Sequence, residues 1–240
     1  MSADLSFDPS IPVAEADSEI DEMIYRISHD LRASVRALQE LPGWIVEDLD
    51  KAAISLPEPT GRHLELVASH AGRLDLMLTG LLEYSRIGRM QPIASVKPAI
   101  VLAEVIDDLG FSSKVSVKSS LDRGNIQMGH ADLKRLFSIL LTNAVRFHPE
   151  KAPRIEVSGG PATGKDWVIE VADNGPGIPA DKVEFVQRPM TKLVSRDVDP
   201  GAGMGLAILR KIAWTYGGSL QITAPKGGSG TIVRVTMKVN

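Results

Sequence analysis

His29 and Asp30 stand side by side in the segment RISHDLRASVRAL. An imidazole is nucleophilic at neutral pH and can carry a covalent phosphoryl group, and an adjacent carboxylate can accept its ring proton. An exposed surface histidine is the plainer alternative, so the meaning of the pair rests on its company. In LLTNAVRFHPE, Asn143 flanks a helical stripe of Leu133, Phe137, Leu140 and Ala144. An amide oxygen sheltered there can ligate a hard cation such as Mg2+, which shares its ligands with nucleotide phosphates, or it can be a satisfied helix-border amide. In DWVIEVADNGPGIP, Trp167, Ile169 and Val171 alternate inward and Asp173 keeps their parity at the strand's end. A carboxylate at that point can accept from an exocyclic amine such as adenine's, with Gly175 and Gly177 letting backbone approach the base, although Asp-Asn-Gly is also a common hairpin turn. Finally, Gly201, Gly203 and Gly205 in DPGAGMGLAILRKIAWTYGG run into a helix expected from about Leu206. Their amides and the helix N-terminus form a cradle for phosphate, without the ending of a P-loop or the strand-first context of a dinucleotide site.

The elements that must hold these groups fall into two kinds. Residues 1–17 are acidic, contain Pro9 and Pro12 and show no period, which reads as a flexible tail. Ser18 has the character of a helix N-cap. Beyond it Ile20, Ile24, Ile27, Leu31, Val35 and Leu38 recur at spacings of three and four, a single helical stripe from whose centre His29 lies about 160° away at roughly 100° per residue. Pro42 and Gly43 are expected to kink or briefly interrupt that helix. After the SLPEPTG turn, Leu64, Val67, Ala71, Leu74, Leu78 and Leu81 repeat like a coiled-coil seam. An antiparallel hairpin of two such helices leaves its stripe half covered, and two copies forming a four-helix bundle complete it. Past residues 91–96, a linker, the texture becomes mixed: helices near Val101 to Leu109, Asp132 to Phe147 and Leu206 to Tyr216. Strands are expected around Val115 to Lys118, Asn125 to Met128, RIEVS, DWVIEVAD, SLQIT and TIVRVTMKV. The fold class is therefore α + α/β, with the hairpin in residues 18–90 and an α/β sandwich in residues 97–240.

Bulk composition narrows the chemistry. With 240 residues, 43% hydrophobic and 24% charged, the chain can bury a substantial core. A net charge of -3 gives no basic field to hold a nucleic acid. The chain has no cysteine, which removes disulfides and thiolate metal sites and fits a reducing, cytoplasmic setting. No apolar run approaches the roughly 20 residues of a membrane-spanning helix, so membrane insertion is not expected.

Taken in order, HDLR, LLTNAVRF, DNGPGIP and GAGMGLAI resemble the histidine, asparagine and two glycine boxes of sensor histidine kinases. The likeness runs from about Ser18 to Val239, and HDLRASVRAL, LLEYSRIGR and NAVRFHPEKAPRIEVS resemble in particular the output module of phytochromes. The resemblance implies a dimerisation and histidine phosphotransfer hairpin followed by a Bergerat-fold, GHKL-type ATP-binding domain. It implies autophosphorylation of His29 by Mg-ATP with Asp30 taking a proton, then transfer to an aspartate of a response-regulator receiver domain. By the same transfer Asn143 ligates Mg2+, Asp173 binds adenine, Gly175, Gly177, Gly201, Gly203 and Gly205 frame the nucleotide, and Arg146 touches phosphate. The segment 179–200 corresponds to a mobile ATP lid, from which Lys192 and Arg196 contact phosphate, or are solvated loop charges. No sensory domain fits in the 17-residue tail, so an upstream sensor domain or a separate protein is expected to supply the signal. Arg32, Arg36 and Gln39 are the expected response-regulator contacts.

The sequence departs from the family pattern at several positions. Ser34 replaces a helix-kinking proline, and Ala33 stands where a Thr or Asn supports phosphatase activity, which predicts weak dephosphorylation of the partner. Ile139 replaces the first of two asparagines, while Val186 and Met190 replace phenylalanines that anchor the lid. These losses support an alternative, a catalytically impaired dimeric phosphotransfer scaffold. A gyrase-like ATPase is the other rival, and it lacks a histidine-bearing hairpin immediately before its ATP domain.

Overall fold

The computed structural model describes residues 13–89, 91–150, 152–164, 166–194, 201–225 and 228–238, with the backbone alone for residues 13–18. The chain divides into two compact units, residues 1–86 and 87–240.

The first unit is a hairpin of two long helices, α1 (Val13–Lys51) and α2 (Glu58–Arg86). Helix α1 starts ahead of the Ser18 cap, inside the segment expected to be a flexible tail, because Ala14, Glu15 and Ala16 are strong helix formers and outweigh a lone cap signal. It also runs through Pro42 without a break. The proline costs one backbone hydrogen bond, but its ring is buried on the same face as Ser28 and Val35, one heptad apart, where α1 packs on α2.

That inward face is not the apolar stripe the periodicity picks out. Of the six stripe residues on α1, Val35 alone is buried, and Ile20, Ile27, Leu31 and Leu38 stay 45–52% exposed. On α2, Ala71 and Leu78 face inward while Val67 and Leu74 remain 45% and 46% exposed. The hairpin thus carries two apolar rows, one closed within the chain and one open.

The second unit is a five-stranded sheet with helices packed on it. Its strands are β2 (Ser116–Leu121), β4 (Arg154–Pro161), β5 (Asp166–Asp173), β6 (Ser219–Thr223) and β7 (Thr231–Lys238), in the order β2-β4-β5-β7-β6. The β2 and β4 strands are parallel and the other neighbours antiparallel. Alternation sends Trp167, Ile169 and Val171 of β5 inward, all under 4% exposed. Against them lie α3 (Pro98–Leu109), α4 (His130–Phe147) and α6 (Gly205–Thr215), whose Val101, Phe137 and Leu209 are almost fully buried. Helix α3 starts with Pro98 in its first turn and ends on Gly110 in the left-handed region, the usual asymmetry of helix ends. Phe137→Ala is expected to cost about 3–5 kcal/mol of stability, measured by denaturant unfolding, since its side chain is wholly enclosed.

A short strand β1 (Ala94–Val96) pairs antiparallel with β3 (Ile126–Met128). The segment 91–96, expected as a linker, therefore contributes a strand to the second unit. In the expected lid a 3-10 turn (Ala180–Lys182) leads into one helical turn, α5 (Val183–Val186).

Candidate nucleotide and phosphoacceptor sites

In the hairpin, His29 sits on the outer face of α1 with its side chain 69% exposed. Its Nδ1 lies 3.2 Å from the Asp30 Oδ1. When that nitrogen carries the ring proton it donates to the carboxylate, which directs the Nε2 lone pair outward as the nucleophile. The Tyr25 ring, one turn earlier, stacks beside the imidazole with centroids 6.2 Å apart and planes at 22°. The Arg86 guanidinium from the end of α2 lies 5.5 Å over that Tyr25 ring. Sequence reasoning passed over both, although the i, i+4 spacing of Tyr25 and His29 was visible. Of the expected partner contacts, Arg36 is exposed, Gln39 is half-buried, and Arg32 is tied within the hairpin by donating to the Thr79 Oγ1 at 3.1 Å.

In the second unit the remaining candidates gather at two adjoining places. The first lies where the glycine run enters α6. A Cβ on Gly205 would come within 3.1 Å of the Ile139 Cγ2 and 3.6 Å of the Asn143 Nδ2. A Cβ on Gly201 would overlap the Arg146 guanidinium. The Lys192 ammonium donates to the Gly201 carbonyl at 2.8 Å, and its stem fills the space beside Gly203. Asn143, Arg146, Lys192, Gly201, Gly203 and Gly205 are thus neighbours, with backbone amides and two cationic side chains around the start of α6. Gly203 has φ +71 and faces the Thr191 carbonyl. Gly203→Ala is expected to cost about 1–2 kcal/mol through strain and crowding, read as a lower thermal midpoint, and to loosen any ligand held there.

The second place is the end of β5. The β5–β7 register sets Asp173 opposite Thr231, so the Asp173 Oδ1 accepts from the Gly175 N–H at 2.8 Å and the Thr231 N–H at 3.3 Å. Burial pushes the Asp173 carboxyl above the ordinary carboxylate range, opposed by those two hydrogen bonds and by His148. Gly177, at φ +80, approaches Gly230 so closely that a Cβ would meet the Gly230 carbonyl at 2.9 Å. His148, at the end of α4, bridges the two places: α4 carries Asn143 and Arg146, and His148 is close enough to act on Asp173. Thr231 and Gly230 were missed because strand register brings them in, and His148 because it reaches Asp173 only where the end of α4 meets the end of β5 in the fold.

Among the described residues no three His, Asp or Glu side chains converge on a cation site. The donor set around Asn143 instead fits a cation carried in with phosphate oxygens, to which the protein adds one ligand. The expected lid anchors differ from one another: Val186 is buried, while Met190 is 40% exposed and takes a positive φ of 61. Arg196 lies outside the described residues.

Comparison with known proteins bears on the whole chain. A family described as "Histidine kinase-, DNA gyrase B-, and HSP90-like ATPase" matches residues 129–240. Sensor protein KdpD of Rathayibacter rathayi is 31% identical over 233 residues, covering 95% of this chain and 26% of the relative. The methanogenesis regulatory histidine kinase FilI of Methanothrix harundinacea is 29% identical, covering 94% and 25%. The chain therefore spans about a quarter of the length of these curated relatives. Among solved structures, full-length ShkA in complex with AMPPNP is similar over 92% of this chain and 46% of its own, at 17% identity and a TM-score of 0.65. The Acinetobacter baumannii histidine kinase AdeS is similar over 86% and 98%, at 17% identity and a TM-score of 0.58. At such identities these structures show the fold, a helical hairpin followed by the mixed sheet domain. No described helix is long and apolar enough to cross a membrane. With the two glycine clusters, Asn143 and Asp173 set around one end of that sheet domain, the second unit carries the ATPase domain of that family, a Bergerat fold, and the chain as a whole is similar to sensor histidine kinases.

Proposed function

We propose that this chain is a histidine autokinase in which the second unit binds Mg-ATP and the hairpin supplies His29 as phosphoacceptor. The observation that carries the nucleotide part is the pairing of a half-buried Asp173 carboxylate with a glycine run that enters α6 beside Asn143. Asp173 accepts from the adenine amine, and Gly175 and Gly177 let backbone lie close to the base. The amides of Gly201, Gly203 and Gly205 receive phosphate oxygens, with Arg146 and Lys192 adding charge and Asn143 one oxygen for Mg2+. Bound Mg2+ would neutralise phosphate charge.

His29 then attacks the γ-phosphorus through Nε2: an N–P bond forms, the bond to the bridging oxygen breaks, ADP leaves, and Asp30 takes the Nδ1 proton. The phosphohistidine passes its phosphoryl group to an aspartate of a response-regulator receiver domain. The open apolar row on the hairpin, from Ile20 to Leu38 on α1 with Val67 and Leu74 on α2, supports a homodimer in which a second copy covers it. Hairpin residues 18–90 serve dimerisation and phosphotransfer, residues 97–240 catalysis, and the donor places both in the cytoplasm.

Incubation of the purified chain with γ-labelled ATP and Mg2+ tests this reading. Acid-labile, base-stable label that fails to form when EDTA is present from the start is the expected result. Nucleotide binding without label would favour the phosphotransfer scaffold, in which Ile139, beside Gly205, stands in place of the first asparagine of the family pattern.

A further inference from the structure

A buried carboxylate lies at the end of α4 away from Asn143. Asp132, 3% exposed, accepts through one oxygen from the Gly88 N–H at 2.9 Å and from the Tyr216 hydroxyl at 2.7 Å. The Tyr216 oxygen in turn accepts from the Gly129 N–H at 2.9 Å. Burial and then the bond to Asp132 push the Tyr216 hydroxyl well above the usual tyrosine range, so it stays a donor. Three segments meet here: the residues that follow α2, the start of α4 and the end of α6.

The meeting is tight. Gly88 has φ +72 and lies so close to Thr215, the last residue of α6, that any Cβ would overlap it. Gln91 accepts from the Ala131 N–H at 2.8 Å and fills the space beside Gly129. The connecting segment is thus tied down at Gly88 and again at Gln91.

Both helices of the knot also reach the nucleotide site. Helix α4 runs from Asp132 to Asn143, and α6 runs back from Gly205, beside Asn143, to Thr215, beside Gly88. Each path is about 16 Å long at the usual helical rise. A packed helix transmits displacement along its axis with little compression, because interiors are as dense as crystals.

We propose that Asp132 and Tyr216 form a clamp that fixes the segment after α2 to the ends of α4 and α6 opposite the nucleotide site, so that nucleotide occupancy and the position of that segment are energetically coupled. The inference rests on the nucleotide reading above. Asp132 and Tyr216 are positioning residues in it and touch no substrate. Coupling of this kind is reciprocal: what nucleotide does to the segment, displacement of the segment does to the nucleotide site.

Amide hydrogen exchange on the full chain, with and without a non-hydrolysable ATP analogue and Mg2+, tests the clamp. In the parent chain the analogue is expected to slow exchange across residues 87–91 about threefold, although no residue there belongs to the nucleotide site. Tyr216→Phe keeps the ring and removes the hydroxyl; it is expected to speed exchange at Gly88 and Gly129 about tenfold and to abolish the response to the analogue. Asp132→Asn, which keeps an acceptor of the same shape, is expected to fall between the two. Autophosphorylation of Tyr216→Phe is expected to change about fivefold in kcat with the ATP KM within about twofold, a split that general loosening of the fold would not give. Retained analogue response in Tyr216→Phe, or faster exchange spread evenly over the whole second unit, would overturn the clamp. A parent chain that binds no analogue would overturn the nucleotide reading and the coupling with it. One that binds normally, yet shows exchange at 87–91 indifferent to the analogue, would overturn the coupling alone.

Discussion

His29→Ala is expected to bind Mg-ATP as tightly as the parent chain and to carry no phosphoryl group at all. The side chain is 69% exposed and its polar partner in the hairpin is the still more exposed Asp30, so removing it leaves no cavity and no buried group unsatisfied. The stability change is expected to stay within about 0.5 kcal/mol, as for most surface positions. Loss of label with unchanged melting and unchanged nucleotide affinity therefore reports the acceptor alone. His29→Gln, which restores length and polarity without a nucleophilic ring nitrogen, is expected to be equally inert. Labelled ATP and thermal unfolding, run on the same preparations, give all three readings.

Asp173→Asn is expected to act in opposite directions on binding and on stability. The ionised carboxylate accepts from the adenine amine, whereas the amide presents a donor there, and loss of a hydrogen bond to a charged group of about 2 kcal/mol corresponds to about thirtyfold weaker ATP binding. The stability effect follows from the raised pKa of Asp173. A carboxyl that holds its proton more tightly when folded adds stability at pH below its unfolded value, and that contribution is lost as pH rises through the folded value. At neutral pH the half-buried charge is a net cost. The amide oxygen still accepts from Gly175 and Thr231, so Asp173→Asn is expected to melt higher than the parent at neutral pH without nucleotide, and the gain is expected to vanish on acidification. For the parent, ATP affinity is expected to fall on acidification from a higher pH than a fully exposed carboxylate would give. Calorimetric titration and thermal melts across the acid range check both.

How much of this was legible in the sequence differs by the kind of signal. Strand β5 and the core parity of Trp167, Ile169 and Val171 were readable because alternation is local, and Asp173 followed from the same parity. Helices α4 and α6 were readable from their stripes to within two residues at each end. The partners of Asp173 were not, because Thr231 reaches it through a β5–β7 register fixed by the whole sheet. The clamp was hidden for a related reason: Gly88, Asp132 and Tyr216 meet only in the folded unit, and a buried Asp-Tyr pair leaves no periodic trace. The run through Pro42 and the exposure of the α1 stripe show a different limit. Periodicity identifies apolar faces, and helix α1 has one face that is closed by α2 and another that is not.

Site-localised mass spectrometry under alkaline conditions, after incubation of the full chain with Mg-ATP, bears most directly on the claim that the second unit phosphorylates the hairpin. The predicted result is a single phosphoryl group on the imidazole of His29 in the parent chain, absent from His29→Ala and from Asn143→Ala. Phosphate found on another residue, or an unmodified His29 in a chain saturated with Mg-ATP, would contradict it.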